Sequence, residues 1–304
     1  MLGGIGAPGH ALLAAVAFAA SQVTIRRGLV HTSVIAGVLI SLSCALVSTG
    51  VFVIINPPGP LDLTAVILFG IAGLAAPGIS RWASASGIHR LGPSVAVPIT
   101  QGARPLLSVA GAVLLLNETF TLIQVVGLAA IICGGWELSR IRKGKADQEP
   151  ESEIVADAPR RFALRPGIAF PLIAALSYAT SDLVLKEGLD RMNEPSFAAF
   201  ASMVPALLVW LLIARFVPRV RRSISIGRDF GWLILSGGLI GIAIVNLNTA
   251  LDAGDVSVVV PIVAAQPLAV FVFSKLLLKE IEVVHPAVIL ASLSVIAGTI
   301  AISV

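Results

Sequence analysis

Charge is what this sequence has least of. Of its 304 residues only 12% are Asp, Glu, Lys or Arg, against 57% that are apolar, whereas a soluble domain carries about 25% charged residues. A surface so poor in charge cannot stay in water, and a mean hydropathy of +0.96 makes lipid the main solvent. Cysteine is nearly missing. Cys44 and Cys133 each stand alone in an apolar run, without the CxxC spacing of a redox or zinc motif, and read as small buried hydrophobes. His10, His31, His89 and His285 are scattered near predicted helix ends, with no metal-ligand spacing. Neither a nucleotide motif nor a His/Asp/Glu/Cys constellation is present, so nothing supports a membrane-embedded enzyme, and no cofactor or metal is expected. The opening MLGGIGAPGHALLAAVAF lacks a positive n-region and is read as entering the first span rather than as a cleaved signal.

What the chain has in abundance is apolar runs of spanning length, about 20 residues each. Ten are predicted, at 8–25, 34–55, 63–88, 94–116 and 120–138, then 166–188, 194–216, 229–252, 255–278 and 283–303. Short punctuators such as RRGLVHTS, NPPGPLD, HRLGP and DRMNEP separate them, so sequential helices should be spatial neighbours. Residues 140–165 differ: RIRKGKADQEPESEIVADAPRRFALR is charged and without apolar periodicity. It reads as a solvated linker that divides the chain into units 1–139 and 166–304.

The two units repeat each other. LLAAVAFAASQVTIRRGL at 12–29 aligns with LIAALSYATSDLVLKEGL at 172–189, with seven of 18 positions identical. SVAVPI at 94–99 matches SVVVPI at 257–262, Pro105 matches Pro267, and LLLNE at 114–118 matches LLLKE at 276–280, all in the same order. Such duplication is a common construction of transporter folds.

Five spans per unit force the second copy to be inverted, and the charges agree. The net charge is +4 and the pI about 9.5, but the basic residues lie between apolar segments, which argues against nucleic-acid binding. NPPGPLD between segments two and three has no Lys or Arg; its counterpart between segments seven and eight holds Arg215, Arg219, Arg221, Arg222 and Arg228. Apart from Arg81, Arg104, Lys186 and Arg191, every basic residue falls at or near an odd-numbered connection. The positive-inside rule then puts the linker and the 215–228 loop in the cytoplasm and both termini outside.

PSVAVPITQGARPLLSVAGAVLLLNETFTLIQVVGLAAIICGG and VSVVVPIVAAQPLAVFVFSKLLLKEIEVVHPAVILASLSVIAGT carry a further likeness. With the two five-helix repeats, this fourth-helix pattern ending in an acid before a short fifth helix resembles the EamA family of the drug/metabolite transporter superfamily. The resemblance covers almost the whole chain outside the linker. It implies a central cavity between the repeats and movement of amino acids, nucleotide precursors or other small metabolites, commonly by export.

Two arginines sit inside predicted spans. A charge at the centre of a span costs at least ~2.5–3.5 kcal/mol, so each needs a partner or a watered cavity, and no Asp or Glu lies in segments three and four. Gln101, Arg104 and Ser108 share a helix face with Ser94, as Pro77, Arg81 and Ser84 do in segment three. A guanidinium suits bidentate capture of carboxylate or phosphate, so Arg104 and Arg81 are candidate anion-binding residues. The alternative for either is a structural Arg, bonded to helix carbonyls or paired with Asp182. Gln266 stands where the second repeat matches Arg104. Asp182, beside Tyr178, is a proton-coupling candidate or an i,i+4 partner of Lys186. Asn246, Asn248 and Trp82 are weaker lining candidates. Pro98, Pro105, Pro261 and Pro267 remove backbone donors and free carbonyls, giving kinks that line a midplane site or simply pack. Glu118 and Glu280 are expected to face the positive N-terminal dipoles of segments five and ten.

Taken together, the sequence describes an all-α membrane protein of ten transmembrane helices in two inverted repeats, lodged in a bacterial or archaeal inner membrane. The function it supports is secondary active transport, by export and alternating access, of a small anionic or zwitterionic metabolite such as an amino acid or organic acid. A flippase of a phosphate-bearing lipid carrier is the alternative. The partners are a small-molecule substrate and the bilayer, with no nucleic acid.

Overall fold

The computed structural model describes residues 6–91, 93–116, 118, 121–122, 125–127, 129–130, 133, 167–222 and 224–277. The predicted tenth segment, the linker 140–165, Glu280, His285 and most of segment five lie outside them. Every regular element among the described residues is helical: α1 (Ala7–Gly28), α2 (Val34–Ile55), α3 (Leu63–Gly73), α4 (Ser80–Leu91), α5 (Pro93–Leu115), α6 (Ala169–Arg191), α7 (Pro195–Phe216), α8 (Pro218–Arg222), α9 (Phe230–Ala253), α10 (Val256–Val263) and α11 (Gln266–Leu277). Among the described residues, six stretches are long and apolar enough to cross a membrane: α1, α2, Leu63–Leu91, α7, α9 and Val256–Ser274, with Ile99–Leu115 as a shorter one. The ends follow local chemistry. Ser33 and Asp62 cap α2 and α3 by accepting from the N–H groups of Ala36 and Ala65 at 3.4 and 2.9 Å, and Pro195 opens α7.

Two predicted segments are interrupted. Segment three was expected as one helix over 63–88. Instead a π-helical stretch, Leu74–Ile79, separates α3 from α4, and Ala76 leaves helical geometry at φ −140°, ψ 122°. Pro77, which has no N–H to give, sits in the break. The exposed carbonyls find donors from the other repeat: Ser181 Oγ donates to Ala76 O at 3.3 Å, and Trp210 Nε1 to Gly78 O at 3.1 Å. Segment nine, expected as one helix over 255–278, breaks after Val263 between Pro261 and Pro267. Pro98 and Pro105 leave α5 continuous. The duplicated prolines therefore act differently in the two halves.

The repeats interlock. α1 packs on α9, α10 and α11; α6 reciprocally packs on α3, α4 and α5; α2 meets α7. Side-chain pairs fix the directions. His10 meets Asn246 and Ser21 meets Ser236, so α1 and α9 are antiparallel. Gln22 lies by Ser84 and Arg26 by the carbonyls of Ile88 and His89, so α1 and α4 are parallel. Ser181 lies by Ala76, and Gly188 by Phe69, so α6 runs against α3 and α4. The first helix of the second repeat thus runs opposite to that of the first, as an inverted duplication demands.

Close approach depends on small residues, because lipid tails give apolar helix faces no reason to associate. At Gly73 an added Cβ would collide with the Ser202 backbone, and at Gly237 it would lie 2.5 Å from Ser41 O. Leu, Ile and Val side chains such as Val47, Ile54, Leu208 and Leu212 point outward, where the bilayer covers them.

Candidate functional site

Charge divides the two ends of the bundle. One end gathers Arg26, Arg27, Arg90, Arg215, Arg221 and Arg228 with Asp229 as its acid; the other gathers Asp62, Glu118, Glu187, Asp190, Glu194, Asp252 and Asp255 with Lys186 and Arg191. Both ends are laced across the repeats. At the basic end Ser33 N donates to Ser225 O at 3.0 Å, Gly227 N to Thr32 Oγ1 at 3.0 Å, and His31 pairs with Asp229 at 2.6 Å. At the acidic end Glu194 accepts from Gly59 N at 2.8 Å, and the Glu118 carboxylate accepts from the N–H groups of Val256 and Ser257 at 3.0 and 2.9 Å. Glu118 was expected to serve the helix that follows it. Most of that helix lies outside the described residues; among them Glu118 caps α10 of the other repeat, where two N-terminal amides point at one carboxylate.

Between the repeats lies a cavity with about 30 Å³ of free space. Its apolar wall includes Phe18, Leu185, Ile240, Ile244 and Leu247, and its polar lining Arg81, Arg104, Tyr178, Ser181, Asp182 and Asn248. The α9 lining runs from Ile240 to Asn248, in the half of the helix nearer the acidic end.

The two arginines have different company. Arg104, 1% exposed, grips Asp182 with both arms of its fork: Nε to Oδ2 at 2.9 Å and one terminal nitrogen to Oδ1 at 2.6 Å. Ser108 donates a third bond to Oδ2 at 2.9 Å, and the guanidinium lies 4.9 Å from the Tyr178 ring centre. This unit joins α5 to α6, one repeat to the other. The i,i+4 pair of Asp182 with Lys186 does not form. Lys186 turns to the acidic end, bonding Asp190 at 2.9 Å and the Leu251 carbonyl at 3.0 Å, where water reaches it. A proton-carrying Asp182 would first have to leave the Arg104 fork.

Arg81, also 1% exposed, has no such acid. Its Nε donates to Ser41 Oγ at 3.2 Å and Nη2 to Ser236 Oγ at 2.8 Å, while Ser236 is itself tied to Ser21. Its remaining nitrogen, Nη1, is buried and unpartnered. A permanent charge is thus held in place by neutral hydroxyls, on the cavity wall, with one donor left over. The serines come from α1, α2 and α9, and three serines in apolar helices gave no warning in sequence that they would converge.

The other candidates fall outside the cavity lining. Trp82 packs edge-on to Phe170 and against Trp210. Asn246 bonds His10 at 3.0 Å. Gln101 and Gln266 are buried with unpartnered Oε1 atoms. Among the described residues, no group of three His, Cys, Asp or Glu could hold a metal ion.

Comparison with known proteins fits this geometry. The EamA-like transporter family matches residues 9–139 and 165–304, one match on each repeat. Curated protein sequences give no match. Of solved structures, 28 chains match. One, titled only as the crystal structure of a protein, is similar at TM-score 0.67 and 18% identity, covering 96% of this chain and 98% of that one. At that identity the likeness establishes the fold alone.

Proposed function

Since the chain belongs to the EamA-like transporter family, we propose that it is a secondary transporter of a small anionic metabolite, held in the central cavity by Arg81. The observation that carries this is the Arg81 guanidinium: buried, cavity-lining, bonded to hydroxyls alone, with Nη1 unpartnered. A buried charge without a counter-ion is costly. A carboxylate or phosphate oxygen entering the cavity would supply that counter-ion and fill the spare donor, giving a short, charge-assisted bond. Arg104 has less to offer, because its fork is spent on Asp182. The anionic group is accordingly assigned to Arg81 first.

Transport needs a second access state. The cavity lies toward the acidic end, while the serine cluster around Arg81 and the lacing of Ser33, Ser225, Thr32 and Gly227 lie toward the basic end. Read with the positive-inside rule, the acidic end faces outward, and alternating access would release the acidic-end lacing in one state and the basic-end lacing in the other.

Ligand affinity and melting temperature measured on the same purified preparations test the assignment. Arg81→Gln is expected to weaken binding of the transported anion by the ~1.5–3 kcal/mol of a charged hydrogen bond, about ten- to hundredfold, with the melting temperature held or raised. Normal affinity in that variant would remove Arg81 from the site. In proteoliposomes, uptake of a soluble labelled anion supports the metabolite reading; flipping of a lipid-linked phosphate without it would favour a lipid carrier.

A further inference from the structure

The cavity has a second unpartnered polar atom, at its other end. Asn248 is fully buried and lines the cavity. Its Nδ2 donates to Pro195 O at 3.3 Å, which fixes the amide's orientation, and Oδ1 is left without a partner. Arg81 therefore offers a charged donor and Asn248 a neutral acceptor. Both lost their water on burial, and neither regains a bond from protein, a loss that costs free energy until a ligand makes it good.

The two atoms are far apart. Arg81 is anchored at the level of Ser236 on α9, and Asn248 lies twelve residues further along the same helix. At 1.5 Å per residue that is about 18 Å between backbone levels, and roughly 10–15 Å once both side chains reach inward. An α-amino acid, whose carboxylate and ammonium share one carbon, is too short to meet both. Along α9 the wall between those levels is apolar, with Ile240, Ile244 and Leu247 joined by Phe18 and Leu185, while Tyr178, Ser181 and the paired Arg104 and Asp182 line the same cavity from α5 and α6.

Resting on the assignment of the anion to Arg81, we infer that Asn248 is a specificity-determining residue, selecting an elongated anion that carries a hydrogen-bond donor at its far end. The anionic head sits at Arg81, an apolar body lies along α9, and a terminal ammonium or hydroxyl donates to Asn248 Oδ1.

The test is a length series of ω-amino carboxylates, 4-aminobutanoate, 6-aminohexanoate, 8-aminooctanoate and 11-aminoundecanoate, titrated calorimetrically into the full chain in nanodiscs. 8-Methoxyoctanoate, which keeps the length but has no donor, is the control. Affinity should climb along the series, and 8-aminooctanoate should bind about tenfold more tightly than its methoxy counterpart. Asn248→Leu should erase that difference and leave 4-aminobutanoate unchanged. Asn248→Asp, which keeps an acceptor and adds charge, should tighten the long amines and serves if the leucine variant melts early. Arg81→Gln should weaken every member alike. Loss with Arg81→Gln but equal affinities across lengths, or no dependence on residue 248, overturns the Asn248 inference and leaves the anion site standing. Full affinity in Arg81→Gln overturns both.

Discussion

Arg104 and Asp182 are each chargeable, each buried, and each compensated by the other. Their bidentate contact, with Ser108 completing the carboxylate, fits a pair whose separate members the site could not tolerate. Removing one partner from a buried pair typically costs ~3–5 kcal/mol, whereas removing both is often neutral. Asp182→Asn is therefore expected to lower the melting temperature sharply, and Arg104→Gln to do the same. The double variant Arg104→Gln/Asp182→Asn should recover most of the loss. Three melting curves check this, and an additive double variant would mean that the two residues act independently. Arg81 is the contrast. Its charge is met by neutral hydroxyls alone, and such a cost is tolerated where a ligand removes it. The sequence made both arginines legible, since a charge in an apolar run stands out. It could not rank them, because the deciding partners lie far along the chain: Asp182 is 78 residues from Arg104, and Ser236 is 155 from Arg81.

At the scale of elements, the positions of the described helices were readable because apolar runs of spanning length have one stable form in lipid. The breaks were not. Pro77 and Pro105 look alike in sequence, yet one sits in a π-helical interruption and the other in a continuous helix. Beside Pro77 the carbonyls of Ala76 and Gly78 find donors in Ser181 and Trp210, partners from the other repeat that a local reading of the proline could not supply. Glu118 illustrates the same dependence. It precedes one helix and caps α10 of the other repeat, a partner 138 residues away that only the folded arrangement reveals. Glu118→Ala should weaken the α10 start by about 1–3 kcal/mol, the worth of hydrogen bonds to a charged group. Thermal unfolding should show a lowered midpoint, with Glu118→Gln intermediate because it keeps an acceptor and loses the charge. An unchanged midpoint in Glu118→Ala would mean that the cap carries no stability.

For the whole molecule, the polarity of the bundle is a matter of which face carries arginine. The described connections at one end are basic and at the other acidic, so a cysteine at Leu61 should react with an impermeant maleimide on intact cells. One at Ile226 should react only after permeabilisation. Both residues are well exposed, and Cys44→Ser with Cys133→Ser clears the background. The reverse pattern would turn the orientation over while leaving the repeats as they are. The duplication, the inversion and the charge asymmetry could all be read from sequence, because each is a property of the linear order. The cavity could not, since its lining comes from α1, the α3–α4 break, α4, α5, α6, α7 and α9.

The interlock of the repeats also sets a timetable for biosynthesis. When α5 enters the membrane, the acid that will neutralise Arg104 has not been made; 78 residues separate Arg104 from Asp182. At roughly 5–20 residues per second a ribosome needs some 4–16 seconds to reach it. Through that interval the nascent first half holds an uncompensated guanidinium near the bilayer core, sheltered by whatever the insertion machinery provides, and it becomes a settled membrane resident only when α6 arrives.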